Sequence, residues 1–181
     1  MVPSRVWKIV LTSSDNSTDR EHPKMQESAQ LSFNSVLMPY QEEAVKWCGE
    51  HENSCCILAY DMGLGKTVVA CGLLVNKPEK TVVMVPASLI DQWQSEIHKH
   101  TTGMKVAVYH GPKRKTKASR LAVQEADVVL TTTAIMANDI KNGYCISGKR
   151  WIIDEAHKLR NKNSINYKYL HMRAHLIKDK V

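Results

Sequence analysis

Two stretches of the sequence hold the residue types best suited to chemistry. In YDMGLGKT, Tyr60 to Thr67, a lysine stands behind two glycines and ahead of a hydroxyl. Gly63 and Gly65 let the backbone curl until several N–H groups converge on one anion, and Lys66 adds a full positive charge. The second stretch is WIIDEAHKLRN, where three apolar residues end in Asp154 and Glu155. Paired carboxylates at the tip of a buried strand can hold a divalent cation through water and orient or deprotonate an attacking water.

Together the two stretches predict a site for a nucleoside triphosphate with Mg²⁺. Asp61, Met62, Gly63, Leu64 and Gly65 would wrap the phosphates, and Lys66 would reach the β- and γ-phosphates. Thr67 and Asp154 would serve Mg²⁺, and Glu155 the water. Lys66, Asp154 and Glu155 form the expected catalytic set. Tyr60 stands where the pattern GxxxxGK[ST] has its first glycine. A plain glycine turn before a helix, and a DEAH tetrapeptide on a surface helix, are the competing readings. His157 either couples nucleotide state to its neighbours or is simply an exposed histidine.

Positioning these residues takes strands and helices in alternation. Short β-type runs occur at CCILAY (55–60), TVVMVP (81–86), KVAVYH (105–110), DVVLTTT (127–133) and WIID (151–154). Helical stretches lie between them: KTVVACGLLV, SLIDQWQSEIHKH and SRLAVQEA. Runs of Val and Ile without clean alternation suit strands covered on both faces. The expected fold is α/β, a phosphate loop on a mostly parallel sheet with helices on both faces. Ahead of the first strand, PYQEEAVKWCGEH predicts a helix with Pro39 in its first turn and Ala44, Trp47, Cys48 and His51 on one face. A last helix, within NSINYKYLHMRAHLIKDK, is expected to bury Ile165, Tyr169, Met172 and Leu176.

With 181 residues the chain has room for one substantial core. Residues 12–30 hold only Met25 and Ala29 as apolar side chains, so residues 1–35 read as a flexible arm before a domain at 36–181. VWKIVL within that arm reads as a stray strand or an anchor. A formal charge of +7 favours a polyanionic partner. Five cysteines without a CxxC pair suit buried free thiols in a reducing compartment rather than disulfides or zinc. No apolar run is long enough to span a membrane.

Other features carry weaker chemistry. GPKRKTKASR, Gly111 to Arg120, has five basic residues and no acid. It reads as a DNA-backbone contact, a nuclear import signal or a solvated loop. His171 and His175 stand four apart but lack acidic or cysteine partners, which favours a solvated helix face. Trp47, Trp93 and Trp151 read as core.

Five ordered segments carry a family resemblance: LMPYQEEAVKW, ILAYDMGLGKT, VVMVPASLIDQW, DVVLTTT and WIIDEAHKLRN. From about Leu37 to Asn163 the chain resembles the first, RecA-like lobe of the Swi/Snf-type branch of superfamily-two helicases, and most of all the baculoviral members. The resemblance implies a double-stranded-DNA-dependent ATPase of the nucleus. It gives Gln41 the role of reading adenine, and Ser88, Thr131 and Thr132 contacts to a DNA backbone. It implies a chain incomplete at its C-terminus, lacking a second RecA-like lobe whose arginines reach the γ-phosphate, and so slow or inactive alone. Tyr60 departs from the small or acidic residue usual in the family. A non-enzymatic DNA- or partner-binding fragment, and an RNA helicase lobe, are the alternatives.

Overall fold

The computed structural model describes residues 8–12, 31–51 and 56–178, with side chains described over 31–51 and 56–172. Six strands form the main sheet: β1 (Lys8–Thr12), β3 (Cys56–Leu58), β4 (Thr81–Met84), β6 (Val106–Val108), β7 (Val128–Thr131) and β8 (Arg150–Ile153). Their spatial order is β3-β1-β8-β4-β7-β6. The last four in that order are mutually parallel, while β1 runs antiparallel to both β3 and β8. A separate pair joins β2 (Ser32–Phe33) to β5 (Thr101–Thr102).

The unbroken apolar runs place side chains on both faces because successive residues of a strand point opposite ways. Val83, Leu130 and Ile152 belong to one cluster, with Ala70, Leu73 and Leu74 of α2 (Lys66–Asn76) and Trp93 and Ile97 of α3 (Ile90–His100). Their neighbours Val82, Val129, Trp151 and Ile153 belong to the other. That cluster takes Val123 of α4 (Lys117–Glu125), Met136 of α5 (Thr133–Lys141) and Leu170 of α6 (Ile165–Lys178). Helices therefore cover both faces of a mostly parallel α/β sheet, as expected.

Several expectations need correcting. Parts of the 1–35 arm are strands: Lys8–Thr12 lies inside the main sheet, and Ser32–Phe33 pairs beside α3. Phe33 packs on the core, and Asn34 Nδ2 donates to Thr102 Oγ1 at 2.8 Å. Residues 13–30, most of the arm, lie outside the described residues. α1 (Pro39–Glu50) buries Gln41, Ala44, Val45 and Cys48, a stripe of i, i+3, i+4 and i+7. Trp47 falls on its flank, 45% exposed and stacked on the His51 ring at 4.6 Å. On α6, Leu170 sets the buried face, which turns Ile165 and Met172 outward; the Leu176 side chain is outside the described set.

Cys48, Cys56 and Cys71 are buried, and Cys145 is partly covered. Burial, with Cys56 beside it, pushes the Cys48 thiol up to about 12, so it stays protonated and unreactive. Among the described residues no helix is long and apolar enough to cross a membrane.

Candidate functional site

The loop between β3 and α2 owes its shape to glycine. Gly63 has φ 84° and Gly65 φ 70°, values that a Cβ makes costly. A Cβ on Gly63 would meet nothing within 4 Å, whereas one on Gly65 would lie 2.5 Å from Gln41 Nε2. Gly65 caps α2, so the helix begins at Lys66 with its free N–H groups facing the loop.

Lys66 is buried, and its amine donates to the carbonyls of Tyr60 and Asp61, each at 2.7 Å. The cation is thereby held inside the loop's own curl. Thr67 follows, half-buried on the first turn, while Asp61, Met62 and Leu64 are exposed on the rim. Gln41 reaches the same loop from α1. Its Oε1 accepts from the Met38 N–H at 3.0 Å, and its Nε2 lies 3.4 Å from the Leu64 carbonyl. Tyr60 donates its hydroxyl to the Tyr40 carbonyl at 2.9 Å, and the two rings meet edge to face at 5.7 Å. Burial, then nearby Glu43, holds the Tyr60 phenol above its usual range. The residue that breaks the glycine pattern thus ties the loop to α1.

The acidic tip follows β8. Asp154 is 8% exposed; its Oδ2 accepts from the Trp93 indole at 2.8 Å and its Oδ1 from the Glu155 N–H at 3.0 Å. Glu155 has φ 54°, the one non-glycine residue with positive φ among those described. Such a conformation costs about 1–3 kcal/mol and needs surrounding structure to hold it. Glu155 also pairs with His157 Nε2 at 3.3 Å.

Register relates the two stretches. Ile9 of β1 pairs with Ile57 on one side and Ile153 on the other, so those residues sit level in the sheet. Two strand spacings separate β3 from β8, about 10 Å. The glycine loop and Asp154 therefore leave the same edge of one sheet at the same height, the edge where open α/β sheets bind ligands. The donor set fits a magnesium-bound triphosphate. It offers a loop with open space at Gly63, a buried amine, a helix N-terminus and a carboxylate held in place.

The residues expected at DNA divide. Ser88 is exposed on the 3₁₀ turn Ala87–Leu89 after β4. Thr132 caps α5, its Oγ1 accepting from the Ile135 N–H at 3.1 Å. Thr131 is fully buried and donates its hydroxyl to the Tyr109 carbonyl at 2.9 Å, which removes it from any surface contact. Thr131 is the last residue of a strand covered on both faces, whereas Thr132, 8% exposed, already belongs to the start of α5.

The basic run is partly tied down. Buried Asp139 of α5 accepts from the Tyr109 hydroxyl at 2.9 Å and pairs with Lys115 at 3.4 Å and Arg114 at 4.0 Å. Burial and that hydrogen bond raise the Tyr109 pKa. The Arg120 guanidinium lies 5.9 Å from the Tyr144 ring. Trp93, read from sequence as core, touches the site directly. The available signal was chemical: a buried indole N–H needs an acceptor.

Known proteins share this arrangement. The profile of the SNF2-related domain matches residues 40–177. An uncharacterised ATP-dependent helicase of Schizosaccharomyces pombe is 31% identical over 180 residues, covering 79% of this chain and 17% of its own length. The mouse SWI/SNF-related matrix-associated actin-dependent regulator of chromatin subfamily A containing DEAD/H box 1 is 31% identical, over 89% of this chain and 17% of its own. The Sulfolobus solfataricus SWI2/SNF2 ATPase core, solved in complex with double-stranded DNA, superposes with a TM-score of 0.62 and 26% identity. It covers 81% of this chain and 31% of its own. This chain thus spans only a small part of its relatives' length, but the part it spans holds both the glycine loop and the acidic strand. It belongs to the SNF2-related domain family.

Proposed function

We propose that this chain is the ATP-binding lobe of a Swi/Snf-like motor that translocates on double-stranded DNA. The observation that carries the reading is the level placement of the Lys66 loop and Asp154 on one edge of the sheet. Lys66 would exchange the Tyr60 and Asp61 carbonyls for phosphate oxygens, and the α2 N-terminus would face the same charge. Thr67 and Asp154 would hold Mg²⁺, which neutralises phosphate charge, and Glu155 would orient the attacking water. Gln41, already against the loop, would read adenine. Ser88 and Thr132 would meet a DNA backbone; Thr131 would not.

Phosphoryl transfer rests on positioning and charge, and an absent arginine finger costs about 10³–10⁵ in rate. Arginines of a second lobe would complete the site, so this chain alone is expected to bind Mg·ATP and hydrolyse it slowly. The baculoviral resemblance supports a role in viral transcription or replication within a host nucleus. The basic run at 113–120 is compatible with import there, and the buried thiols with a reducing compartment.

Calorimetry with Mg·ATP on the wild-type chain and on Lys66→Ala tests the reading, with steady-state hydrolysis measured with and without duplex DNA. Saturable binding, weakened at least tenfold by Lys66→Ala, is expected. A wild-type chain silent at millimolar Mg·ATP refutes it.

A further inference from the structure

Trp93 lies on the first turn of α3, only 2% exposed among Ile90, Ile97 and Leu130. Its indole N–H donates to Oδ2 of Asp154 at 2.8 Å. The other oxygen of the same carboxylate accepts the Glu155 N–H at 3.0 Å. Donors at both oxygens, one on α3 and one on the chain after β8, resist rotation of the carboxylate.

Trp151 sharpens the contrast. It is also 2% exposed, yet its indole nitrogen has no hydrogen-bond partner among the described residues. Burial of a tryptophan in this fold therefore does not by itself produce a bond to an acid. The Trp93 bond is specific to the tip of β8.

We infer that Trp93 is a positioning residue for magnesium: its indole fixes the orientation in which Asp154 takes the hydrated ion. The inference rests on the reading of the site as a Mg·ATP site. Groups that orient a metal's ligands commonly contribute about 10- to 100-fold in metal affinity, because they fix the ligand's direction before the ion arrives. Trp93 also stands one turn into the helix that begins just after the Pro86–Ser88 segment. The position of α3 thus sets the orientation of Asp154.

The test is a Mg²⁺ titration of fluorescent ADP (mant-ADP) binding to wild type, Trp93→Phe and Trp151→Phe. Phenylalanine keeps an aromatic ring and loses the N–H. Trp93→Phe is expected to raise the Mg²⁺ half-saturation about 10- to 100-fold while metal-free affinity for mant-ADP changes less than about twofold. Trp151→Phe should leave both unchanged. Equal Mg²⁺ dependence in wild type and Trp93→Phe, or equal weakening with and without metal, overturns the inference and leaves the nucleotide reading standing. A wild-type chain that binds no mant-ADP at any Mg²⁺ concentration removes both.

Should Trp93→Phe fail to fold, the ¹⁵N-indole spectrum of the wild type decides. Adding Mg²⁺ to the ADP-saturated chain should shift the Trp93 N–H resonance and spare that of Trp151. An unmoved Trp93 resonance refutes the proposal.

Discussion

Replacing Gly65 by alanine should cost more than replacing Gly63, and the difference should run through Gln41. Both glycines have positive φ, so alanine at either pays backbone strain of about 1–2 kcal/mol. At Gly63 that is the whole effect, since the new methyl meets nothing within 4 Å. At Gly65 the methyl would lie 2.5 Å from Gln41 Nε2, and Val68 Cγ2 at 3.7 Å limits its escape. Gln41 must then swing away, losing the bond from the Met38 N–H at the start of α1. Loss of such a bond costs about 0.5–1.5 kcal/mol. The expected destabilisation is thus roughly 1–2 kcal/mol for Gly63→Ala and roughly 1.5–3.5 kcal/mol for Gly65→Ala, the sum of strain and lost bond. Urea unfolding followed by circular dichroism measures both. The cycle with Gln41→Ala isolates the clash, because neighbours that share a contact are not additive. Gly65→Ala costing no more than Gly63→Ala, or strict additivity with Gln41→Ala, would refute the steric argument.

Two further perturbations probe what holds the site's frame. Val10 of β1 pairs with both Cys56 and Ile152, so Val10→Pro removes a ladder bond from the interior of the sheet. Hydrogen exchange should then rise in β3 and the loop after it, while β4, β7 and β6 keep their protection; unchanged exchange in β3 would exclude the bridging role of β1. Asp139→Asn removes the charge that receives Arg114, Lys115 and the Tyr109 hydroxyl. Stability is expected to fall by about 1–3 kcal/mol and trypsin to cleave the 113–117 segment faster, an outcome that limited proteolysis checks directly.

Sequence reasoning reached the parallel sheet and the glycine loop because their signals are local. A Val-rich run declares burial on both faces, and two glycines before a lysine declare a curled backbone. It missed what depends on contacts across the chain. Lys8–Thr12 has ordinary strand residues, but nothing in them says that the strand will sit between β3 and β8. Trp47 and Cys48 are neighbours on one helix, and a single-residue rotation of the stripe sends the larger one outward. Thr131 and Thr132 look alike in sequence, yet the first ends a strand covered on both faces while the second, 8% exposed, caps α5. Trp93 looked like packing because its acceptor lies 61 residues away.

The loop's internal bonds also set what binding can gain. Lys66 already makes two hydrogen bonds at 2.7 Å to loop carbonyls, Gln41 lies against Leu64, and Tyr60 is tied to Tyr40. A phosphate entering the curl, as proposed, would therefore replace bonds as well as add them. The gain is the difference between a charge-assisted contact to an anion and a contact to neutral carbonyls. Preformed shape works the other way, since a loop already curled and capped needs little further ordering. The Asp154 carboxylate has the same character, held at both oxygens before any ion arrives. What distinguishes the site is thus prior order: Lys66 is satisfied yet exchangeable, and Asp154 is oriented by a tryptophan from the neighbouring helix.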